Sequence, residues 1–272
     1  SDNFRVLIMD KSGKIIKSVG KPESEIFPQH REFRPSKVIA DSVGNFYVIV
    51  SGVFQGAATF NRNGEFIEFF GSDRVELSAR LLRDYMWRRF VTEEMRERLA
   101  RYVPVEFISF DIDESNFIYS VTQRTSRSGQ IRKINPAGVN IWNPARNYGD
   151  IEFSMRRGRM VDTYFSDVTI NSRGFLFALD TTRNRIFVYD NEGDFVFTFG
   201  GRGDQAGTFR EPRIIESFDD KIYVFDSAKG SITEFIPNEY GSIVLDAIEM
   251  FQDGRYLESK EMWENVLRRN SN

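Results

Sequence analysis

The chain has 272 residues, no cysteine and a formal net charge of −3. That length can bury a substantial core. The missing thiols exclude disulfides, thiolate metal sites and a cysteine nucleophile, and the near balance of charge excludes a wholesale nucleic-acid binder.

The 26 Phe and 10 Tyr suit strands packed between sheets better than helical bundles. No apolar run approaches the ~20 residues of a membrane span, and Ser1–Asp10 is not a signal peptide. An export signal would lie upstream of this chain.

In chain order, RVLIMDKSGKIIKSVG (5–20) reads as two strands around a turn, the outer half of a larger unit. Residues 36–71 read as a complete four-stranded unit. The stretch 73–103 then switches to helical periodicity, with Leu77, Leu81, Leu82 and Tyr85 on one side of a first helix and Met95, Leu99 and Tyr102 on one side of a second. Its arginines are matched by acids at helical spacing, which predicts a solvated structural cap.

Strand patterns resume at 107–153 and at 166–200, where SDVTINSRGFLFALDTTRNRIFVYDNEGDFVFTFG shows four strands and three turns most clearly. Residues 212–236 supply three further strands. After Pro237, GSIVLDAIEMFQDGRYLESKEMWENVLRRN predicts two amphipathic helices broken at Gly254, with Ile248, Phe251, Tyr256, Trp263 and Leu267 packed together or onto the last strands.

Two offsets recur through the strand units. An Asp or Asn followed three residues later by Gly appears at Asp10/Gly13, Asn61/Gly64, Asn135/Gly138 and Asp190/Gly193, and a closing glycine follows at Gly20, Gly71 and Gly200. A second turn places an aromatic six residues on: Asp41/Tyr47, Asp113/Tyr119, Asn171/Phe177 and Ser217/Tyr223. Tandem four-stranded units predict a β-propeller, here of about four to five blades, entered in mid-blade. The expected domains are a propeller over 1–237, interrupted at about 73–103, and an incomplete helix pair over 238–272.

Aligning the repeats at Asp41, Asp113, Asn171 and Ser217 makes the preceding first strands comparable. Strand period two then separates Val38, Phe110, Val168 and Ile214, predicted to pack between blades, from the opposite set. That set holds Lys37, Ser109, Asp167 and Arg213 in one tier and Ile39, Asp111, Thr169 and Ile215 in the next, and is predicted to face the channel. Two cations and one carboxylate disfavour a divalent cation. They leave two readings: a small anionic ligand held by Lys37 and Arg213, or an internal Asp167–Arg213 salt bridge.

A surplus of cations between Ser120 and Met160, including Arg124, Arg127, Arg132, Lys133, Arg146, Arg156, Arg157 and Arg159, forms a basic patch if these loops share a face. Gly201-Arg-Gly203-Asp-Gln-Ala206 matches a dinucleotide fingerprint formally, but Pro212 follows where a helix is required. One histidine, His30, cannot make a histidine-rich metal site or a triad with its neighbours.

On DSVGNFYVIVSG (41–52), DTTRNRIFVYDNEGDFVFTFGGRGDQAGTF (180–209) and FDSAKGSITEF (225–235) the chain resembles the NHL-repeat branch of six-bladed propellers, over about residues 4–236. The tail resembles a tetratricopeptide repeat at Ala247, Gly254, Tyr256, Trp263 and Leu267, with Ser259 and Ser271 departing from its pattern. The combination resembles bacterial proteins in which such a propeller runs into tetratricopeptide repeats. That resemblance implies an exported or cell-envelope location.

The function expected is non-catalytic binding or scaffolding, with no cofactor, toward a protein partner or a small anionic ligand. Nucleic acid is not an expected partner. The alternative is a metal-dependent hydrolase like the lactonases of the senescence-marker group.

Overall fold

The computed structural model describes residues 4–71, 107–122, 129–154 and 158–269. The helical insertion expected at 73–103 lies outside them. The chain divides into two compact units, Ser1–Tyr148 and Gly149–Asn272. It is mainly β, built of propeller-type blades, and ends in a pair of helices.

In the first unit, β1 (Val6–Met9) and β2 (Ile15–Val19) form a hairpin. A four-stranded antiparallel meander follows: β3 (Pro35–Ala40), β4 (Phe46–Val50), β5 (Ala57–Phe60) and β6 (Phe66–Phe70). Then come three strands, β7 (Phe107–Ile112), β8 (Ile118–Thr122) and β9 (Ile131–Ile134).

The second unit opens with a separate hairpin of β10 (Ile151–Ser154) and β11 (Arg159–Asp162). It continues with the meander β12 (Phe165–Ile170), β13 (Leu176–Asp180), β14 (Arg185–Tyr189) and β15 (Phe195–Gly200). The three-stranded sheet β16 (Pro212–Phe218), β17 (Lys221–Asp226) and β18 (Ser231–Phe235) and the helices α1 (Glu239–Gln252) and α2 (Tyr256–Arg269) complete it.

The 107–153 stretch was expected to form one blade; instead β10 pairs with β11. Beyond the Asn135–Gly138 turn, only Asn140 bridges back to Ile134, and the Ile141 N–H donates to Lys133 O at 2.8 Å. Trp142 is buried against Tyr119 and Tyr148, and Pro144 has no N–H to continue a ladder.

The recurring turns have one chemistry. Asp10, Asn61, Asn135 and Asp190 each accept two backbone N–H groups with one side-chain oxygen, from residues two and four further on. In two of the first turns the spacing to the aromatic has a direct cause, because Tyr47 and Tyr119 donate their hydroxyls to Asp41 and Asp113 at 3.3 and 3.2 Å. The closing glycines Gly71 and Gly200 sit at φ +68° and +82°, where a Cβ would meet the rings of Phe107 and Phe209 at 2.9 and 2.8 Å.

A further common device is a bulge in the first strand. The register slips between Pro35/Lys37, Phe107/Ser109, Phe165/Asp167 and Pro212/Ile214. The same pairings correct the alignment of the last sheet. Thr169 faces Phe177 across its hairpin, whereas Glu216 faces Tyr223 across a turn one residue shorter, Asp219–Asp220. Ile215, not Ile214, is therefore the counterpart of Val168, and Arg213 falls on the bulge rather than beside Asp167 in register.

Sheets stack face to face. In the first unit, Ile49, Ala57 and Phe70 of β3–β6 pack against Phe107, Phe110, Ile118 and Ile134. In the second, Leu179 and Ile186 pack with Ile215, Ile222 and Val224. Val38 was expected between blades but is 49 % exposed. Its face is covered by β1, β2, Phe27 and Phe33 only over β4–β6. In the last sheet the row through Ile215 and Val224 is buried, and the opposite row, Ile214, Phe225 and Ile232, is exposed, so Ile214 does not pack between sheets as expected.

The two helices are antiparallel, with Glu239 at the start of α1 paired to Arg269 at the end of α2 at 2.8 Å. Asn238 caps α1 by accepting the Gly241 N–H at 2.8 Å. Their seam runs through Ala247, Ser259 and Val266, and the Ser259 hydroxyl donates to Ala247 O at 2.7 Å. That close approach turns Trp263 and Leu267 outward, to 38 % and 68 % exposure, correcting their expected packing. Phe251 and Tyr256 meet each other at 5.3 Å but stay exposed.

Leu245 and Ile248 of α1 join the core of β12–β18. Beside them the Arg173 guanidinium donates to Asp246 at 2.7 Å and Glu249 at 2.8 Å. The Gln252 amide donates to Asp190 at 3.1 Å.

Two tests follow from this packing. Burial pushes the Asp226 carboxyl up, but the N–H groups of Arg210, Glu211, Lys229 and Ala228 outweigh it and hold it below the usual carboxylate range. Its stabilising contribution is complete above the unfolded value of about 3.9 and is lost as pH falls through the lower native value. Asp226→Ala is expected to lower unfolding free energy by about 2–3 kcal/mol at neutral pH and to flatten the acid limb of the stability curve, measured by urea denaturation. Arg173→Ala is expected to cost about 1 kcal/mol and to speed amide exchange across α1 with β12–β15 unaffected; unchanged exchange would mean that Leu245 and Ile248 alone hold the helix.

Candidate functional site

First-strand side chains stand perpendicular to their sheet, so they enter the gap between sheets rather than line an axis. What a first strand leaves open is its backbone edge. In the second unit that edge is filled by the preceding sheet. Asp167 accepts the Ile215 N–H at 2.9 Å with one carboxylate oxygen and the Val168 N–H at 3.0 Å with the other. Thr169 accepts the Ser217 N–H at 3.0 Å, and the Ser217 hydroxyl donates to Ile170 O at 2.7 Å.

The tier residues thus have separate surroundings. Arg213 is exposed, with Glu211 at 3.3 Å and Ser227 at 3.3 Å. Asp167 is buried on the side of β12 that meets β16. In the first unit, Lys37 lies opposite Ile49 and Ser109 opposite Val121, both on half-buried to buried strand positions. Asp111 accepts the Ile112 N–H at 2.8 Å.

Of the basic stretch, Arg124, Arg127, Arg156 and Arg157 lie outside the described residues, and Arg159 is exposed at the start of β11. Arg132 and Lys133 are buried, not surface cations. The Lys133 ammonium stands over the rings of Phe117 and Tyr119 at 5.2 and 5.3 Å.

The strongest electrostatic cluster joins Asp150 to Arg183 at 3.1 Å and Arg185 at 2.9 Å, with Thr163 donating at 2.9 Å. Asp180 lies behind it, fully buried, with Arg185 at 3.9 Å and Arg183 at 4.0 Å. Burial pushes its carboxyl up, and the Thr182 and Tyr164 N–H groups and both guanidiniums do not cancel that push. Asp226 holds the equivalent position one sheet later and shifts the opposite way, because it is less deeply enclosed and four backbone N–H groups converge on it. Both carboxylates act as internal ties of the fold. Among the described residues no three His, Cys, Asp or Glu side chains gather as a metal-ligating set.

The feature built to receive something is a cavity of about 230 Å³ in the second unit. It opens between β12–β15 and β16–β18, beneath the start of α1. Its walls are Phe177, Phe197, Phe199, Ile222, Phe235 and Leu245, and its rim is Asn171, Arg173, Asp220 and Asn238. The aromatic wall is continuous, with Phe199 at 5.0 Å from Phe235 and 6.2 Å from Phe197.

The rim groups are engaged by the fold. Asn171 holds its own turn, Asn238 caps α1 and Arg173 grips Asp246 and Glu249. Among the described residues, Asp220 accepts only an exposed Ser172 hydroxyl, at 3.3 Å. The alternation of Phe197 and Phe199 marked that strand face in the sequence, whereas a register slip opposite Tyr189 turns Phe195 to the other face, against Phe187 and Tyr189. Arg173 carried no comparable signal, because its partners lie on a helix more than seventy residues away.

A second, polar cleft of about 620 Å³ lies at the β15–β16 loop, with Arg202, Arg210 and Arg213 on its walls. Asp204 pairs with Arg210 and Glu211 with Arg213, so these opposed charges largely cancel. The loop carries the Gly201–Ala206 stretch, closed by Gly203 N–H to Phe209 O at 3.0 Å, and leads into a strand, not a helix.

No family model matches the chain, and no curated protein matches it. Solved structures similar to it include a streptogramin B lyase, at 15 % identity and a TM-score of 0.45, covering 87 % of this chain and 63 % of that one. An inactive virginiamycin B lyase from Staphylococcus aureus solved with quinupristin is 14 % identical, with a TM-score of 0.46, covering 85 % and 62 %. The Dos1 propeller is 12 % identical, with a TM-score of 0.47, covering 85 % and 51 %. The chain spans less than two thirds of the length of each, and the likeness is one of fold.

Proposed function

We propose that this chain is a non-catalytic recognition module, in which propeller-type blades position an apolar cavity for a small ligand or a partner's side chain. The observation that carries this is the aromatic cavity beneath α1, whose walls hold no nucleophile and whose rim groups are mostly engaged in holding turns and the helix. Apolar walls with a few polar groups at the mouth are the usual composition of ligand pockets.

The NHL-type character of the blades and the tetratricopeptide-like character of the helix pair belong to the same proposal. They are supported by the shared turn chemistry and by the antiparallel α1–α2 seam. A location at the bacterial cell envelope goes with that reading.

Small aromatic compounds at about ten times their Kd are expected to stabilise the chain by about 1.4 kcal/mol, raising Tm by about 3–5 °C. Leu245→Trp, which fills the cavity, is expected to abolish the shift while leaving the far-UV spectrum unchanged. Lactone turnover that requires an added divalent cation would overturn the non-catalytic reading.

A further inference from the structure

The cavity's walls and its mouth ask for different chemistry. Inside, Phe177, Phe197, Phe199 and Leu245 offer no charge and no hydrogen bond. At the mouth, Asp220 lines the opening, and Asp246 and Glu249 stand beside it on α1. One cation, Arg173, opposes these three carboxylates and is shared between two of them, so the mouth keeps an excess of two negative charges. Asp219, the other residue of the β16–β17 turn, adds to that excess. The nearby Lys221 does not remove it, because its ammonium is engaged by Glu234 at 3.2 Å.

Resting on the reading of this cavity as a recognition pocket, we propose that its ligand is an amphipathic cation: an aromatic or aliphatic body with an ammonium head, seated with the body among the phenylalanines and the head at Asp220. The charge at the mouth selects this class. An anionic head would meet three carboxylates and a guanidinium already satisfied by two of them. A neutral body would gain the walls and nothing from the mouth. Asp220 is the group placed to receive the head. It is exposed, it lies in a turn whose geometry does not depend on its carboxylate, and the Ser172 hydroxyl donates to it at the 3.3 Å limit of a useful hydrogen bond. Asp246 and Glu249, held by Arg173, shape the field without having to move.

The ligand class differs in sign from the anion expected for Lys37 and Arg213, and the difference comes from the partners. Arg213 lies at a bulge beside Glu211. Asp220, by contrast, has no cation within its own turn before Lys221.

The test uses three probes with one body, 2-phenylethylammonium, 2-phenylethanol and 3-phenylpropionate, titrated into the full chain and followed through the methyl resonances of Leu245 and Ile222. The expected result is that all binding maps to those methyls and that the ammonium binds about fivefold tighter than the alcohol at low salt, with the carboxylate weakest. Asp220→Asn is expected to bring the ammonium close to the alcohol without weakening the alcohol, and added salt to narrow the gap in the parent chain. If the alcohol binds as tightly as the ammonium, or the carboxylate is preferred, the cation proposal fails while the pocket stands. If no probe shifts the Leu245 or Ile222 methyls, the pocket itself falls, and the cation proposal with it.

Discussion

The open backbone edge of a first strand is the constraint around which the second unit is arranged. β16 is hydrogen-bonded on one side to β17, and its other edge presents N–H groups that burial would leave costly if unmet. Asp167 and Thr169 reach across from β12 and satisfy two of them, at Ile215 and Ser217. This fixes the offset between neighbouring sheets to within a residue. Once that offset is set, Ile215 and Val224 must fall opposite Leu179 and Ile186, and the apolar rows close on each other. The bulge in each first strand belongs to the same arrangement, since it re-aims the side chains that follow it.

The cavity is a consequence of how that stacking ends. Near the inner strands the two sheets meet through small and branched side chains. Toward β15 and β18 the contact is made by phenylalanine rings that tilt rather than stack flat, Phe199 against Phe235 at 58°. Tilted rings leave space that a flat stack would fill. Helix α1 then caps the opening because Leu245 and Ile248 share a face with Asp246, Glu249 and Gln252 at helical spacing. Packing and charge therefore act at the same place: the helix that completes the apolar wall also brings the acids to the mouth.

The two buried aspartates show how one position can serve different ends. Asp180 and Asp226 both close a sheet at the end of its second strand, and both are fully buried. Asp226 meets four backbone N–H groups and is held ionised by them. Asp180 meets two, and faces the guanidiniums of Arg183 and Arg185 at about the limit of an ion pair, while Asp150 takes their shorter contacts. Asp180 lies deeper among protein atoms, so desolvation wins there, whereas at Asp226 a weaker desolvation is outweighed by four converging N–H groups.

What the sequence determined by itself is local. The turns were legible because an Asp or Asn oxygen reaches backbone N–H groups two and four residues on, wherever the segment sits. Strand identity followed from those turns and from the aromatic runs between them, and Pro237 and Gly254 bounded the helices. Tertiary structure alone decided which face each strand presents. A turn one residue shorter at Asp219–Asp220 moved Ile215 into the place expected for Ile214 and left Arg213 outside. On α2, the 2.7 Å contact of Ser259 with Ala247 rotated the seam onto Ser259 and Val266, away from Trp263 and Leu267. The cavity has the same origin. Arg173, Phe199, Asp220 and Leu245 come from four elements whose meeting depends on how two sheets and a helix close on each other, and no spacing along the chain records that distance.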